Sequence, residues 1–226
     1  MGSSVFHLVD LDRVIFDTAK FVAALTSEIH LTQPELGGML SEQFEAAYRK
    51  EETFFLLRYL RQTRGDEWFE ALVGAVVEKY GAEAFILPGA RERFMNAETD
   101  GVTPSKGIIT YGDDIDQRLK LRLIGLDRVP TYVTETPDKA KLLHTWQLPD
   151  GRFQLPAEFG GGIVSTLTLE DDKLRAFDDL PSGVLGVWIT HYGDARARLE
   201  ERGTQNVLIA RDLNESTNLF REALTL

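Results

Sequence analysis

Val5-Phe6-His7-Leu8-Val9-Asp10-Leu11-Asp12-Arg13-Val14-Ile15-Phe16-Asp17-Thr18 is the stretch on which the reading of this chain turns. Its first five residues form an apolar run interrupted only by His7, the length and composition of a strand buried on both faces. Such a strand delivers Asp10 and Asp12 to its C-terminal edge, where open α/β sheets keep their ligand sites. Two acids one residue apart can share a divalent cation, one acting as nucleophile while the other handles protons. Taken alone, the tripeptide Asp10-Leu11-Asp12 reads equally well as a strand ending in a solvated turn, so the rest of the chain has to decide.

Outward from this strand the next eighty or so residues read as helix. Phe21, Val22, Leu25 and Ile29 form one stripe. Phe44, Tyr48, Phe54, Phe55, Leu57, Tyr59 and Leu60 form another over about 41–62, with a possible break at Lys50-Glu51-Glu52. Phe69, Leu72, Val73, Val76, Val77 and Tyr80 follow helical spacing over 66–80, with Asp66 as the expected N-cap. From Gly107 the pattern alternates. Strands are expected at Gly107–Thr110, Thr131–Val133, Ile163–Leu169, Leu185–Thr190 and Val207–Ala210, with helices over 115–123, 138–146, 173–179, 194–201 and 216–224 between and after them. That is the rhythm of a parallel sheet with crossover helices. The predicted fold class is therefore α/β, a Rossmann-like parallel sheet carrying an inserted helical cap. Residues 1–18 and 96–226 are assigned to the core and 19–95 to the cap. The insert starts just past the Asp pair, so it is expected to sit over the C-terminal edge of the sheet as a lid.

Composition narrows the function. A chain of 226 residues with 43% apolar and 27% charged residues can bury a sizeable core. There is no cysteine, hence no disulfide framework, which fits a cytoplasmic location. Met1-Gly2-Ser3-Ser4 leads straight into the first strand, so no targeting leader is expected, and no apolar run has membrane-spanning length. A net charge of −11 argues against a nucleic-acid partner, which calls for a basic surface. A small phosphorylated substrate is compatible with that charge only where the site carries its own positive field from a metal, a lysine or a helix N-terminus.

Three further strand ends carry polar groups suited to that task. Ile108-Ile109-Thr110-Tyr111-Gly112-Asp113 closes a strand on a hydroxyl, suited to a phosphate oxygen or, more simply, to capping the following helix. Thr136-Pro137-Asp138-Lys139 reads as a helix start with Thr136 as N-cap and Pro137 in the first position. Lys139 then lies in the first turn, which the helix dipole disfavours for a cation, and it calls for solvent or an anion nearby. Lys141 is the competing lysine. Glu170-Asp171-Asp172 crowds three acids at a strand end, the arrangement of a divalent cation site or of a solvated turn.

In this order the features resemble the haloacid dehalogenase-like (HAD) hydrolase superfamily over essentially the full length of the chain. The segment Asp10-x-Asp12-x-Val14-Ile15-Phe16-Asp17-Thr18 is the most specific part. Thr110 to Lys120 is similar to the family's second motif and following helix, Pro88-Gly89-Ala90 to its return from the cap, and Leu185 to Thr190 to its late strand. The resemblance implies a magnesium-dependent phosphomonoesterase. In it Asp10 would be the nucleophile, forming an aspartyl-phosphate, and Asp12 the general acid and base. Thr110 would hold the phosphate and Lys139 would neutralise it. Asp171 or Asp172 would bind Mg2+ together with Asp10 and the backbone carbonyl of Asp12. The chain departs from the pattern at Arg13, where the family often has Gly, and at Glu170-Asp171-Asp172-Lys173, which lacks the common Gly-Asp start.

Two other functions compete. A haloacid dehalogenase would lack the acid at Asp12 and need no metal, and a HAD-like binding module would turn over little. No Gly-x-Ser-x-Gly elbow occurs. His7, His30, His144 and His191 lack metal-ligand spacing and read as structural, and Gly160-Gly161-Gly162 reads as a turn. Tyr48, Arg58, Arg61 and Trp68 of the insert are candidates for substrate contact.

Overall fold

The computed structural model describes residues 4–49, 54–95, 105–204 and 206–224. The chain divides into two compact units, Met1–Phe16 with Ile86–Leu226, and Asp17–Phe85. The second unit is helical: α1 (Thr18–Thr32), α2 (Pro34–Arg49), α3 (Leu56–Arg64) and α4 (Asp66–Tyr80). Asp17 caps α1 by accepting the Lys20 N–H at 2.9 Å. The helix expected over 41–62 is two helices; the break proposed at Lys50-Glu51-Glu52 and the side chain of Tyr48 lie outside the described residues. Gly65 rather than Asp66 occupies the N-cap of α4, because the chain turns there with φ 84°, a conformation open to glycine and costly for aspartate. Phe21, Leu25, Ile29, Phe69, Leu72, Val73 and Val76 are buried, as their spacing predicts.

The first unit is built on six parallel strands: β1 (Val5–Val9), β2 (Lys106–Tyr111), β3 (Thr131–Thr134), β6 (Thr166–Asp171), β7 (Val184–Ile189) and β8 (Val207–Ala210), in the order β3-β2-β1-β6-β7-β8. The helices are α5 (Ala90–Met95), α6 (Asp114–Leu123), α7 (Lys139–Trp146), α8 (Ala195–Arg202) and α9 (Leu213–Leu224). A two-residue pair, β4 (Phe153–Gln154) and β5 (Ile163–Val164), is antiparallel. The strand expected over Ile163–Leu169 is therefore two: the Ser165 N–H turns aside to Ser4 O at 3.0 Å, and the sheet strand starts at Thr166. The helix expected over 173–179 is a single 3-10 turn, Leu174–Phe177. Helix α5 belongs with the sheet unit, where Arg93 reaches Glu170 of β6 at 2.9 Å. Pro88-Gly89-Ala90, likened to the return from the cap, leads into α5 within the sheet unit, and residues 96–104 lie outside the described residues. Among the described residues no helix is long and apolar enough to cross a membrane.

Strand alternation sorts the sheet's two faces. Phe6, Leu8, Leu167 and Leu169 pack with Leu143 and Trp146 of α7, with Phe177 of the 3-10 turn and with Leu199 of α8, each fully buried side chain contributing about 1.5–3 kcal/mol. On the opposite face His7 sits with Nδ1 2.8 Å from Thr168 Oγ1 and its ring 5.4 Å from that of Phe220. Burial, then the charges of Arg93 and Lys106, lower its pKa from 6.5 to about 4. The unfolded chain takes up this proton near 6.5 and the folded chain only near 4. His7's contribution is thus complete above the upper value and is lost as pH falls through the window. The expected loss between pH 7 and 4.5 is about 2 kcal/mol. Denaturant unfolding at both pH values should show that increment missing in His7→Gln; an equal pH response in the variant would assign the acid sensitivity elsewhere.

Candidate active site

The strand order reverses direction at β1: the chain proceeds from β1 to β2 and β3 on one side, and from β6 to β7 and β8 on the other. Ligands of open α/β sheets bind at such a switch point, beyond the carboxyl ends of the strands. Val9 pairs with Ile108 of β2 and with Glu170 of β6, and the Asp10 N–H donates to Glu170 O at 2.8 Å. This register brings together three of the strand ends singled out from the sequence.

Lys139 is the first residue of α7. Asp138, not Thr136, is the N-cap: its carboxylate accepts the Lys141 N–H at 3.1 Å, while Thr136 Oγ1 accepts the Asp138 N–H at 3.2 Å one step earlier. An extra turn of chain thus precedes the helix. The Lys139 ammonium is buried between Asp10 Oδ1 at 2.5 Å and Asp171 Oδ2 at 2.6 Å, supplying the anions that its place at a helix start demands. Lys141 is exposed.

The three consecutive acids separate. Glu170 points with Thr168 and His7 to the α9 face, where it meets Arg93 Nη2 at 2.9 Å and accepts from Ser216 Oγ at 2.5 Å. Asp171 points the other way, toward Lys139, and its Oδ1 accepts the Lys173 N–H at 2.7 Å. Oxygens of Asp10, Asp171 and Asp172 lie within 4.8 Å of one another. Asp172 Oδ2 meets Arg13 Nη1 at 3.4 Å, whereas its Oδ1 is buried without a hydrogen-bond partner. Arg13 stands with φ 67°, a left-handed conformation that glycine adopts more readily than arginine, and its side chain is exposed.

Burial and crowding shift the titrating groups of this cluster. Burial first, then Asp171 and Asp12, push Asp10 up to about 8 against the pull of Lys139. Burial alone would lower Lys139, but Asp10 and Asp171 outweigh it and hold the ammonium above the ordinary lysine value. Burial and the charge of Asp171 likewise raise Asp172. Three buried or half-buried carboxylates converge on Lys139, with the exposed Arg13 guanidinium reaching only Asp172, and an orphaned carboxylate oxygen beside them is where a hard cation takes a ligand. The donor set fits a divalent ion.

Thr110, next to last in β2, is buried with its Oγ1 lacking a hydrogen-bond partner. Capping does not explain it, because Asp113 caps α6 by accepting the Asp116 N–H at 3.2 Å. The carboxylate of Asp12 is not in the three-acid cluster; Lys120 Nζ donates to Oδ1 at 2.6 Å and Gln117 Nε2 to Oδ2 at 3.0 Å. Neither partner carries a sequence motif of its own. Gln117, Lys120 and Leu121 occupy i, i+3 and i+4 of α6, Ile124 follows at i+7 as its C-cap, and all are buried, so two polar residues on an inward stripe are the available signal. Asp10, Asp12, Tyr111, Lys139 and Asp171 line one small pocket. A larger cavity, about 950 Å³, lies on the α9 face between His7, Arg93, Lys106 and Arg221, away from these carboxylates.

No family model and no curated protein matches the sequence. Among solved structures, a protein described as a haloacid dehalogenase-like hydrolase from Burkholderia xenovorans aligns over 99% of both chains with a TM-score of 0.62 at 16% identity. A protein described as a beta-phosphoglucomutase from Thermotoga maritima aligns over 97% of this chain and 99% of its own, with a TM-score of 0.54 at 15% identity. The HAD-hydrolase YfnB from Bacillus subtilis, bound to magnesium, covers 98% and 99% with a TM-score of 0.50 at 16% identity. The fold of this chain is the HAD-like hydrolase fold, an α/β Rossmann-like sheet with flanking helices. At these identities the likeness is one of fold.

Proposed function

We propose that this chain is a magnesium-dependent phosphomonoesterase acting on a small phosphorylated substrate. The observation that carries the reading is the convergence of Asp10, Lys139, Asp171 and Asp172, with unpartnered buried oxygens on Thr110 and Asp172. Phosphoryl transfer asks mainly for positioning and charge neutralisation around one nucleophile, and these side chains are such a set. In this mechanism Asp10 attacks phosphorus and becomes the aspartyl-phosphate. Asp12 gives a proton to the departing alcohol, then takes one from the water that hydrolyses the intermediate. The Lys139 ammonium neutralises phosphate charge, and the Thr110 hydroxyl donates to a phosphate oxygen. Asp10, Asp171 and Asp172, with the backbone carbonyl of Asp12, would hold Mg2+, which supplies charge neutralisation for the phosphoryl oxygens. The acid at Asp12 and the acids at Asp171 and Asp172 speak against the dehalogenase reading.

A panel of aryl and alkyl phosphates, assayed for phosphate release, tests this function. Turnover should fall about 100-fold or more on chelation and return with magnesium. No release from any ester, with inorganic phosphate still raising the melting temperature, would replace the enzyme by a phosphate-binding module.

A further inference from the structure

We propose that Lys120 and Gln117 of α6 are positioning residues that clamp Asp12 in the orientation needed to serve the leaving group. The catalytic consequence rests on the phosphatase reading; the clamp itself rests on geometry alone. A lysine on a short surface helix normally keeps its ammonium in water, and burial is tolerated only with a compensating partner. Here the Lys120 side chain is 8% exposed, and its ammonium donates at 2.6 Å to Asp12 Oδ1 and at 3.2 Å to Gln117 Oε1. The same Gln117 amide donates through Nε2 to Asp12 Oδ2 and to Tyr111 O, both at 3.0 Å. Each oxygen of the carboxylate is thus tied to a different donor, which fixes the plane of the group as a single contact would not.

The backbone makes space for this arrangement. Gly112 has φ 155°, and a Cβ there would stand 2.3 Å from Gln117 Nε2. The amide runs through the volume that any other residue would fill. Strand end, glycine and helix are all parts of the sheet unit, so the orientation of Asp12 is set within that unit.

A clamp on the leaving-group acid has a signature that a merely structural ion pair lacks. Misplacing a catalytic group by about 1 Å costs roughly 100-fold, but only where its proton is needed. In Lys120→Met, kcat/KM for an alkyl phosphate is expected to drop about 100-fold, while 4-nitrophenyl phosphate, whose leaving group departs with little protonation, loses less than about tenfold. In an Asp12→Asn background the same substitution should add no further loss. Gln117→Leu, a milder change, should show the same substrate dependence at about tenfold. Equal losses on the two esters, or losses that multiply in the Asp12→Asn background, would overturn the assignment. An activity-free arm separates the clamp from the phosphatase reading: melting temperatures of Lys120→Met, Asp12→Asn and the double variant should depart from additivity by about 3 °C or more. A smaller departure overturns the clamp; absent turnover in the wild type with that coupling intact overturns only the phosphatase reading.

Discussion

Asp10→Asn is expected to fold as the wild type does and to lose turnover by about 10⁴-fold or more, because an amide cannot form the acyl-phosphate. Its effect on stability has the opposite sign. Burial, Asp171 and Asp12 raise the carboxyl of Asp10 to about 8, so in the metal-free protein the group resists ionisation at neutral pH. A carboxyl raised above its unfolded value costs stability progressively as pH climbs from the ordinary carboxylate range toward that value. Asparagine has the shape of the neutral acid and ends this cost, while Lys139 keeps its 2.6 Å contact with Asp171. At pH 7 in chelator the variant should therefore melt higher than the wild type, and the difference should shrink below pH 5. Thermal melts across that range, beside phosphate-release assays, check both halves. Wild-type turnover in the variant would remove Asp10 from the nucleophile's place.

Legibility in the sequence followed the distance over which each feature is determined. The strand Val5–Val9 and the alternation after Gly107 depend on local periodicity, and both elements and fold class could be read from them. A local conflict, a cation at a helix start, marks Lys139 whether the N-cap is Thr136, as the sequence suggests, or Asp138, as in the structure. Pro137 is compatible with either start, so the proline alone could not choose. Glu170, Asp171 and Asp172 could not be told apart as a charge run. Once the strand is known to end at Asp171, a period of two sends Glu170 to the face of Thr168 and Asp171 to the face of Leu169. Lys120 and Gln117 were hidden for a different reason: they pair with Asp12 across more than a hundred residues, and a polar position on a helix stripe names no partner. The spacing over 173–179 suggests a helix where the chain makes only the 3-10 turn Leu174–Phe177, because Ala176 and Phe177 bury themselves in the sheet's core without needing one.

Lys139→Met is expected to separate the two jobs that one ammonium performs. Without metal, it is the cation buried between Asp10 and Asp171, with both carboxylates almost wholly inside the protein. Removing one partner of a buried ion pair typically costs about 3–5 kcal/mol, because charge is left without compensation. For a chain of this size that corresponds to a melting temperature about 10 °C lower in chelator. The same substitution frees Asp10 Oδ1 and Asp171 Oδ2 from a competing cation, so a divalent ion should bind the variant more tightly than the wild type. Ligand binding to the folded state adds stability in proportion to the logarithm of concentration over dissociation constant. Magnesium should then raise the melting temperature of Lys139→Met by more than it raises that of the wild type, while turnover stays about 10³-fold down for lack of the phosphate-neutralising ammonium. Unchanged melting of the variant on adding magnesium would mean that Asp10, Asp171 and Asp172 do not grip a common ion, and the lysine would then be a structural counter-charge alone.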